Sequence, residues 1–173
     1  MSDMSVLSIF ISLMMAVAQF QQPSFIDIFK QKAIAESISV DYEFSAEFSG
    51  MNAKGKGTVE IQGTAYHMTG DGVEIYCDGA STWFIDQVSE EVVIESADSK
   101  DAGFLANPIM LLMNLEESTA SYKIDGDKII LNMPDSTKLE ITLKNISSIP
   151  IKKPEAFRPP AEFPKNWIIT DLR

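Results

Sequence analysis

The stretch EIYCDGASTWFIDQVSEEVVI, residues 74–94, decides the fold. It reads as three short strands, 73–77, 82–86 and 91–95, joined by tight turns, with Asp78-Gly79 in the first connection. The same pattern extends upstream. In VDYEFSAEFS, Val40, Tyr42, Phe44, Ala46 and Phe48 alternate with Asp41, Glu43, Ser45, Glu47 and Ser49, which gives a strand one apolar and one wetted face. Residues 54–62 repeat the alternation, with Gly55, Gly57, Val59 and Ile61 set against Lys54, Lys56, Thr58, Glu60 and Gln62. Tyr66-His67-Met68 adds a short strand. Downstream, 122–124 and 128–133 flank Asp125-Gly126, a hairpin signal that Asp127 lengthens. Residues 138–146 alternate Leu139, Ile141 and Leu143 with Lys138, Glu140, Thr142 and Lys144.

Two segments break this period. Residues 23–39 read as an amphipathic helix starting at Pro23 or Ser24. Phe25, Ile28 and Phe29 open its apolar stripe, and Lys30, Gln31, Lys32 and Glu36 face water. Residues 107–115 begin with Asn107 as N-cap and Pro108 at the first helical position. Ile109, Met110, Leu111, Leu112, Met113 and Leu115 make this helix apolar nearly all round, so it needs cover on more than one side. A place between a sheet and a cavity satisfies that need. The chain from residue 148 onward holds five of the eight prolines and ends in Trp167-Ile168-Ile169, which suits a wrapping segment or an edge strand. The expected fold is mainly β (α+β). It is a curved antiparallel sheet forming an open or half barrel, covered by an N-terminal amphipathic helix and a short lid helix.

At 173 residues the chain suits one domain, and its 45% apolar content supplies a core. Fourteen basic residues stand against 25 acidic ones, a formal charge of -11, with no clustered Lys and Arg. Nucleic acid and anionic membrane surfaces are therefore not expected partners. Residues 6–18, VLSIFISLMMAVA, are apolar, short for a bilayer, and end in the small-x-small pattern Ala16-Val17-Ala18. They predict a signal peptide over 1–18, cleaved to leave Gln19 first, and a single domain over 19–173. The preceding MSDMS is a poor n-region, with Asp3 and no basic residue. Cys77 is the single cysteine, so no intrachain disulfide forms. No cysteine near Ala18 is available for lipid attachment, and the mature chain is expected to be soluble.

Catalysis is not expected. His67 is the only histidine, alternation places it opposite Tyr66 and Met68 towards solvent, and no G-x-S-x-G elbow accompanies it. One His and one Cys cannot build a structural zinc site, and Glu90-Glu91 and Glu116-Glu117 read as solvated turns. Gly55 and Gly57 lack a phosphate-loop ending and fit strand glycines that pack under a helix or permit a bend. No metal or cofactor is therefore expected. What remains is apolar surface: many large rings, and five methionines beyond the leader (Met51, Met68, Met110, Met113 and Met133). Unbranched Met suits a site that accepts varied apolar shapes. On composition alone an ordinary packed core accounts for them, but a half barrel must fill its concavity with something.

The chain resembles a divergent member of the outer-membrane lipoprotein carrier family, the LolA-like periplasmic chaperones. The quoted stretch is similar to that family's central meander, with Asp78, Gly79, Trp83 and Asp86 matching its pattern. NPIMLL, from Asn107, resembles its lid helix, and AEFPKNWIITDLR its terminal segment. The resemblance implies a non-enzymatic periplasmic carrier that shields lipoprotein acyl chains in the half barrel and ferries them from the inner to the outer membrane. Implied partners are an acylated lipoprotein cargo, an inner-membrane ABC-type release complex and an outer-membrane acceptor. No oligomer interface is legible, so a monomer is expected. The acyl-chain lining is expected from Tyr42, Phe44, Phe48, Val59, Ile61, Tyr66, Met68, Trp83, Ile85, Ile109, Leu112 and Met113. Another lipid or hydrophobic ligand on the same scaffold is the alternative. One departure is clear. Better-known members latch the lid with an early-strand arginine, whereas VEIQGTAYHM has none and offers Gln62 as the nearest polar group.

Overall fold

A computed structural model describes residues 25–48, 50–97, 112–113, 121–133 and 137–173. The expected leader over 1–18, Ile109 and all of the expected lid helix except Leu112 and Met113 lie outside the described residues. So do the side chains of Phe25 and Phe48.

The period-two segments form ten strands: β1 (Ser37–Phe48), β2 (Met51–Gln62), β3 (Ala65–Gly70), β4 (Val73–Cys77), β5 (Ser81–Asp86), β6 (Glu91–Ser96), β7 (Ser121–Asp125), β8 (Lys128–Asn132), β9 (Lys138–Ile149) and β10 (Ile168–Asp171). They make one mainly antiparallel sheet in the order β10-β6-β5-β4-β3-β2-β1-β9-β8-β7, and the sheet does not close on itself. Among the described residues, only β10 runs parallel to its neighbour, β6.

Local chemistry sets the turns. Asp71 and Gly72 join β3 to β4 with φ of 51° and 83°, the double positive φ that a two-residue type I′ hairpin requires. The Asp71 carboxylate accepts the Lys56 N–H at 2.8 Å, satisfying a donor just beyond the last β2–β3 pair. The β7–β8 loop is Gly126-Asp127, because Asp125 pairs with Lys128 inside the ladder. Asp78 and Asp86 fold back on the backbone after their strands. Asp78 accepts the N–H groups of Ala80 and Ser81 at 2.9 Å each, and Asp86 those of Val88 and Ser89 at 2.8 and 3.0 Å. The two aspartates of the central meander are therefore turn-forming groups.

The first helix, α1, spans Phe25–Ala35 and ends before the expected residue 39; residues 23 and 24 lie outside the described residues. It gives way where Ser37 and Ile38 start the alternation of β1. Its buried stripe is Ile26, Phe29 and Ala33, and Ile28 is 44% exposed. Of the expected stripe, Phe29 is buried as expected and Ile28 is corrected, since i, i+3, i+7 from Ile26 is the face turned to the sheet. The Gly63 N–H donates to the Ala33 carbonyl at 3.0 Å, tying the end of α1 to the β2–β3 turn.

Two apolar clusters lie on opposite faces of the sheet. The larger joins α1, Leu112 and the inner faces of β1–β4, β8 and β9. The smaller holds Ile85, Val92 and Ile94 with Tyr76, Trp83, Phe163 and Trp167. The proline-rich segment makes the second cluster possible by crossing the outer face as a strap. Gln62 donates to the Lys152 carbonyl at 3.0 Å and accepts the Lys152 N–H at 2.8 Å. Lys152 also pairs with Glu60. A short 3₁₀ turn, Pro154–Phe157, buries Phe157 completely, and Arg158 pairs with Asp78 at 2.7 Å. Phe163 and Trp167 stack with centroids 6.3 Å apart before the chain enters β10. The C-terminal part is thus both a wrapping segment and an edge strand.

Candidate apolar cavity

The cavity begins with three glycines. In the β1–β2 ladder Tyr42 lies opposite Gly57, and Phe44 opposite Gly55. A Cβ on Gly55 would stand 2.8 Å or less from two Phe44 ring carbons, so the ring lies flat on the glycine backbone. A Cβ on Gly57 would meet the Thr69 carbonyl oxygen, and one on Gly70 the Lys56 carbonyl oxygen. Strands β2 and β3 therefore approach more closely here than any side chain allows. Gly55 and Gly57, expected to pack under a helix or permit a bend, admit close neighbours from the sheet itself. Aromatic rings of the neighbouring strand cover them, and Gly57 marks a close strand crossing.

Where the floor lacks side chains, a cavity of about 200 Å³ opens on the inner face. Tyr42, Phe44, Met68, Val73, Ile75 and Phe84 give it apolar walls, and Gly55, Gly70, Lys54 and Asp71 complete the lining. The Tyr42 and Phe44 rings stack with centroids 6.5 Å apart. Burial, helped by the Asp71 carboxylate, pushes the Tyr42 hydroxyl up to about 12, so it stays protonated and can donate a hydrogen bond. The site is an apolar trough with a phenol and an acid at one end. It can hold a hydrocarbon chain, and it offers a polar end to a head group.

The expected lining residues divide into groups. Tyr42, Phe44 and Met68 line the cavity. Val59, Ile61 and Tyr66 belong to the same buried inner-face core but lie beyond the cavity wall. Leu112 is fully buried in that core, in a helical turn, and Met113 packs against it. The side chain of Phe48, and Ile109, are outside the described residues. Trp83 and Ile85 project to the other face, into the cluster under the strap. The β4–β5 register fixes this: Cys77 pairs with Thr82, Tyr76 with Trp83 and Ile75 with Phe84, so Phe84 shares the inner face with Ile75. Sequence reasoning missed Phe84, Val73 and Ile75. The four-residue Asp78–Ser81 turn was the available signal, because pairing Cys77 with Thr82 across it sets the parity of β5.

The outer face carries polar chemistry of a different kind. His67 stacks on Tyr76 with centroids 4.0 Å apart, and its Nε2 lies 3.6 Å from Glu74. Tyr76 and Gln87 both donate to Glu74, at 2.8 and 2.6 Å. Burial pushes the His67 imidazole below its ordinary value, against the opposing pull of Glu74. His67 is on the expected face but is mostly covered rather than solvated. Gln62 also points outwards and holds the strap at Lys152 rather than a lid. Among the described residues, no group of three His, Cys, Asp or Glu side chains could hold a metal ion, and no helix is long and apolar enough to cross a membrane.

No protein-family model matches the chain, and no curated protein matches it at a significant level.

Proposed function

We propose that this protein is a periplasmic carrier that shelters lipoprotein acyl chains on the inner face of its open sheet. In this reading it receives acylated cargo from an inner-membrane ABC-type release complex, passes it to an outer-membrane acceptor, and acts without catalysis. The observation that carries the reading is the apolar cavity over Gly55 and Gly70, walled by Tyr42, Phe44, Met68, Val73, Ile75 and Phe84. The apolar run over 6–18 supports export.

The volume sets the energetics. A cavity of about 200 Å³ takes only part of a long acyl chain, and each methylene it buries yields ~0.8 kcal/mol. A whole long acyl chain would offer on the order of 10 kcal/mol, too much for a carrier that must let go. Partial burial, extended when the helical turn of Leu112 and Met113 moves, suits reversible transport. Leu112 is fully buried, so Leu112→Glu should displace that turn from the core and weaken cargo retention at least tenfold. Unchanged retention would remove the turn from the mechanism.

The modest volume also favours a second reading, a carrier of a smaller hydrophobic ligand whose polar head meets Tyr42 and Asp71. Titration with an acylated peptide, the same peptide without its acyl group, and a free fatty acid separates the two. The carrier reading expects the acylated peptide to bind best and the bare peptide not at all. Preference for the free acid would favour the second reading, and binding of none would refute both.

A further inference from the structure

Three large apolar side chains stand exposed near the end of the chain: Ile168, Ile169 and Leu172, at 59%, 51% and 62% of full exposure. The first two lie in β10, an edge of the sheet, and Leu172 follows it. Exposed edges are usually blunted by shortness, charge, Pro or a bulge; β10 is short and ends in Asp171, but its IITD holds no Lys or Pro and pairs with β6 without a bulge. The Ile168 N–H donates to the Glu90 carbonyl at 3.0 Å and the Leu172 N–H to the Ile94 carbonyl at 2.8 Å. In a parallel ladder alternate residues bond to one neighbour. Thr170 therefore also faces β6, and the N–H and C=O of Ile169 and Asp171 point to the open side.

The register places Ile168 and Thr170 beside Glu91 and Val93, and Ile169 and Asp171 beside Val92 and Ile94. Leu172 continues the first side, next to Glu95. Among the described residues neither the Glu91 nor the Glu95 carboxylate makes an ion pair or a hydrogen bond. The β10 edge thus combines unpaired backbone groups, exposed apolar side chains, and two free carboxylates one strand behind.

We propose that this edge docks an extended segment of a partner protein by strand addition, and that the segment alternates basic and apolar residues. The outward backbone groups of Ile169 and Asp171 supply the ladder bonds. Basic side chains lay their aliphatic stems over Ile168 and Leu172 and reach Glu91 and Glu95, about 10 Å away across two strand spacings. The alternate apolar residues pack on the other face against Ile169. A second copy fits less well. It brings the same carboxylates and a charge of -11.

The probe is a blocked octapeptide of alternating lysine and valine, with alternating glutamate and valine as control. Ile169→Pro removes an outward donor and no β10–β6 ladder bond, and Pro is tolerated on an edge strand. Glu91→Gln with Glu95→Gln removes the charges. The lysine peptide is expected to slow amide exchange at Ile169 and Asp171 and to bind at least tenfold tighter than the control. Ile169→Pro should weaken it about tenfold, the equivalent of one ordinary hydrogen bond, and the double Gln variant several-fold. Should the Pro variant not fold, the double Gln variant decides. Unchanged exchange at both amides, equal binding of the two peptides, or a concentration-dependent dimer in place of peptide binding would overturn the proposal.

Discussion

Val73→Phe should close the cavity from its rim. Val73 lines it and packs against the inner core while remaining partly exposed, so the larger ring can enter the void with little backbone movement. The change adds four carbons. If each occupies a position that a ligand methylene would take, the variant forfeits about 3 kcal/mol of ligand burial at ~0.8 kcal/mol per group. Affinity for an acyl chain should fall roughly a hundredfold. Trp83→Phe is the matched control, because Trp83 lies on the outer face under the strap. Displacement of a fluorescent fatty acid gives the affinities, and thermal unfolding shows that both variants are folded. A folded Val73→Phe protein that binds as tightly as the parent would refute the assignment. So would a Trp83→Phe protein that loses binding instead.

Gly57→Ala should destabilise by at least about 2 kcal/mol, because its Cβ would stand 1.8 Å from the Thr69 carbonyl oxygen and the strands must part. Urea unfolding measures this, and a near-neutral result would mean the crossing is looser than described. Gln62→Ala removes both hydrogen bonds to Lys152 and should cost about 1–2 kcal/mol. Faster amide exchange in the strap is expected, with acyl binding unchanged; a loss of binding would tie the strap to the cavity. Burial pushes the Asp78 carboxyl up, but the Ser81 and Ala80 amides and Arg158 outweigh this and hold it below its ordinary 3.8. Its stabilisation is then present above about pH 3.8 and is lost as pH falls through the lower folded value. Asp78→Asn should flatten the acid limb of the stability curve below pH 4, and an unchanged limb would assign it to other carboxylates.

Strand existence was legible wherever one face is dry and the other wet. β1, β2 and β9 show clean alternation, and Val40, Tyr42, Ala46, Val59, Ile61, Leu139, Ile141 and Leu143 are buried as it predicts. β5 was not legible in the same way. Its Trp83, Phe84 and Ile85 are consecutive and apolar because both faces are covered, one by the inner core and one by the strap. A strand buried on both sides carries no parity in its hydrophobic pattern. The cover comes from Phe163 and Trp167, about 80 residues away, and nothing local announces it. His67, which alternation alone places in water, is partly covered by the Tyr76 ring stacked on it. The cavity was harder still. Its walls are ordinary core residues, and its volume comes from what Gly55 and Gly70 omit. The sequence showed those glycines but not which rings lie across them. In α1 Phe29 was legible and Ile28 was not: Ile26, Ile28 and Phe29 crowd one turn, and only packing against the sheet selects Ile26 and Phe29.

Native mass spectrometry of the protein, purified gently from the cells that make it, tests the carrier account most directly. The account predicts a one-to-one complex with an acylated lipoprotein, lost in Val73→Phe and kept in Trp83→Phe. A protein that carries only a small lipid, or whose bound lipoprotein is retained equally by both variants, would contradict it.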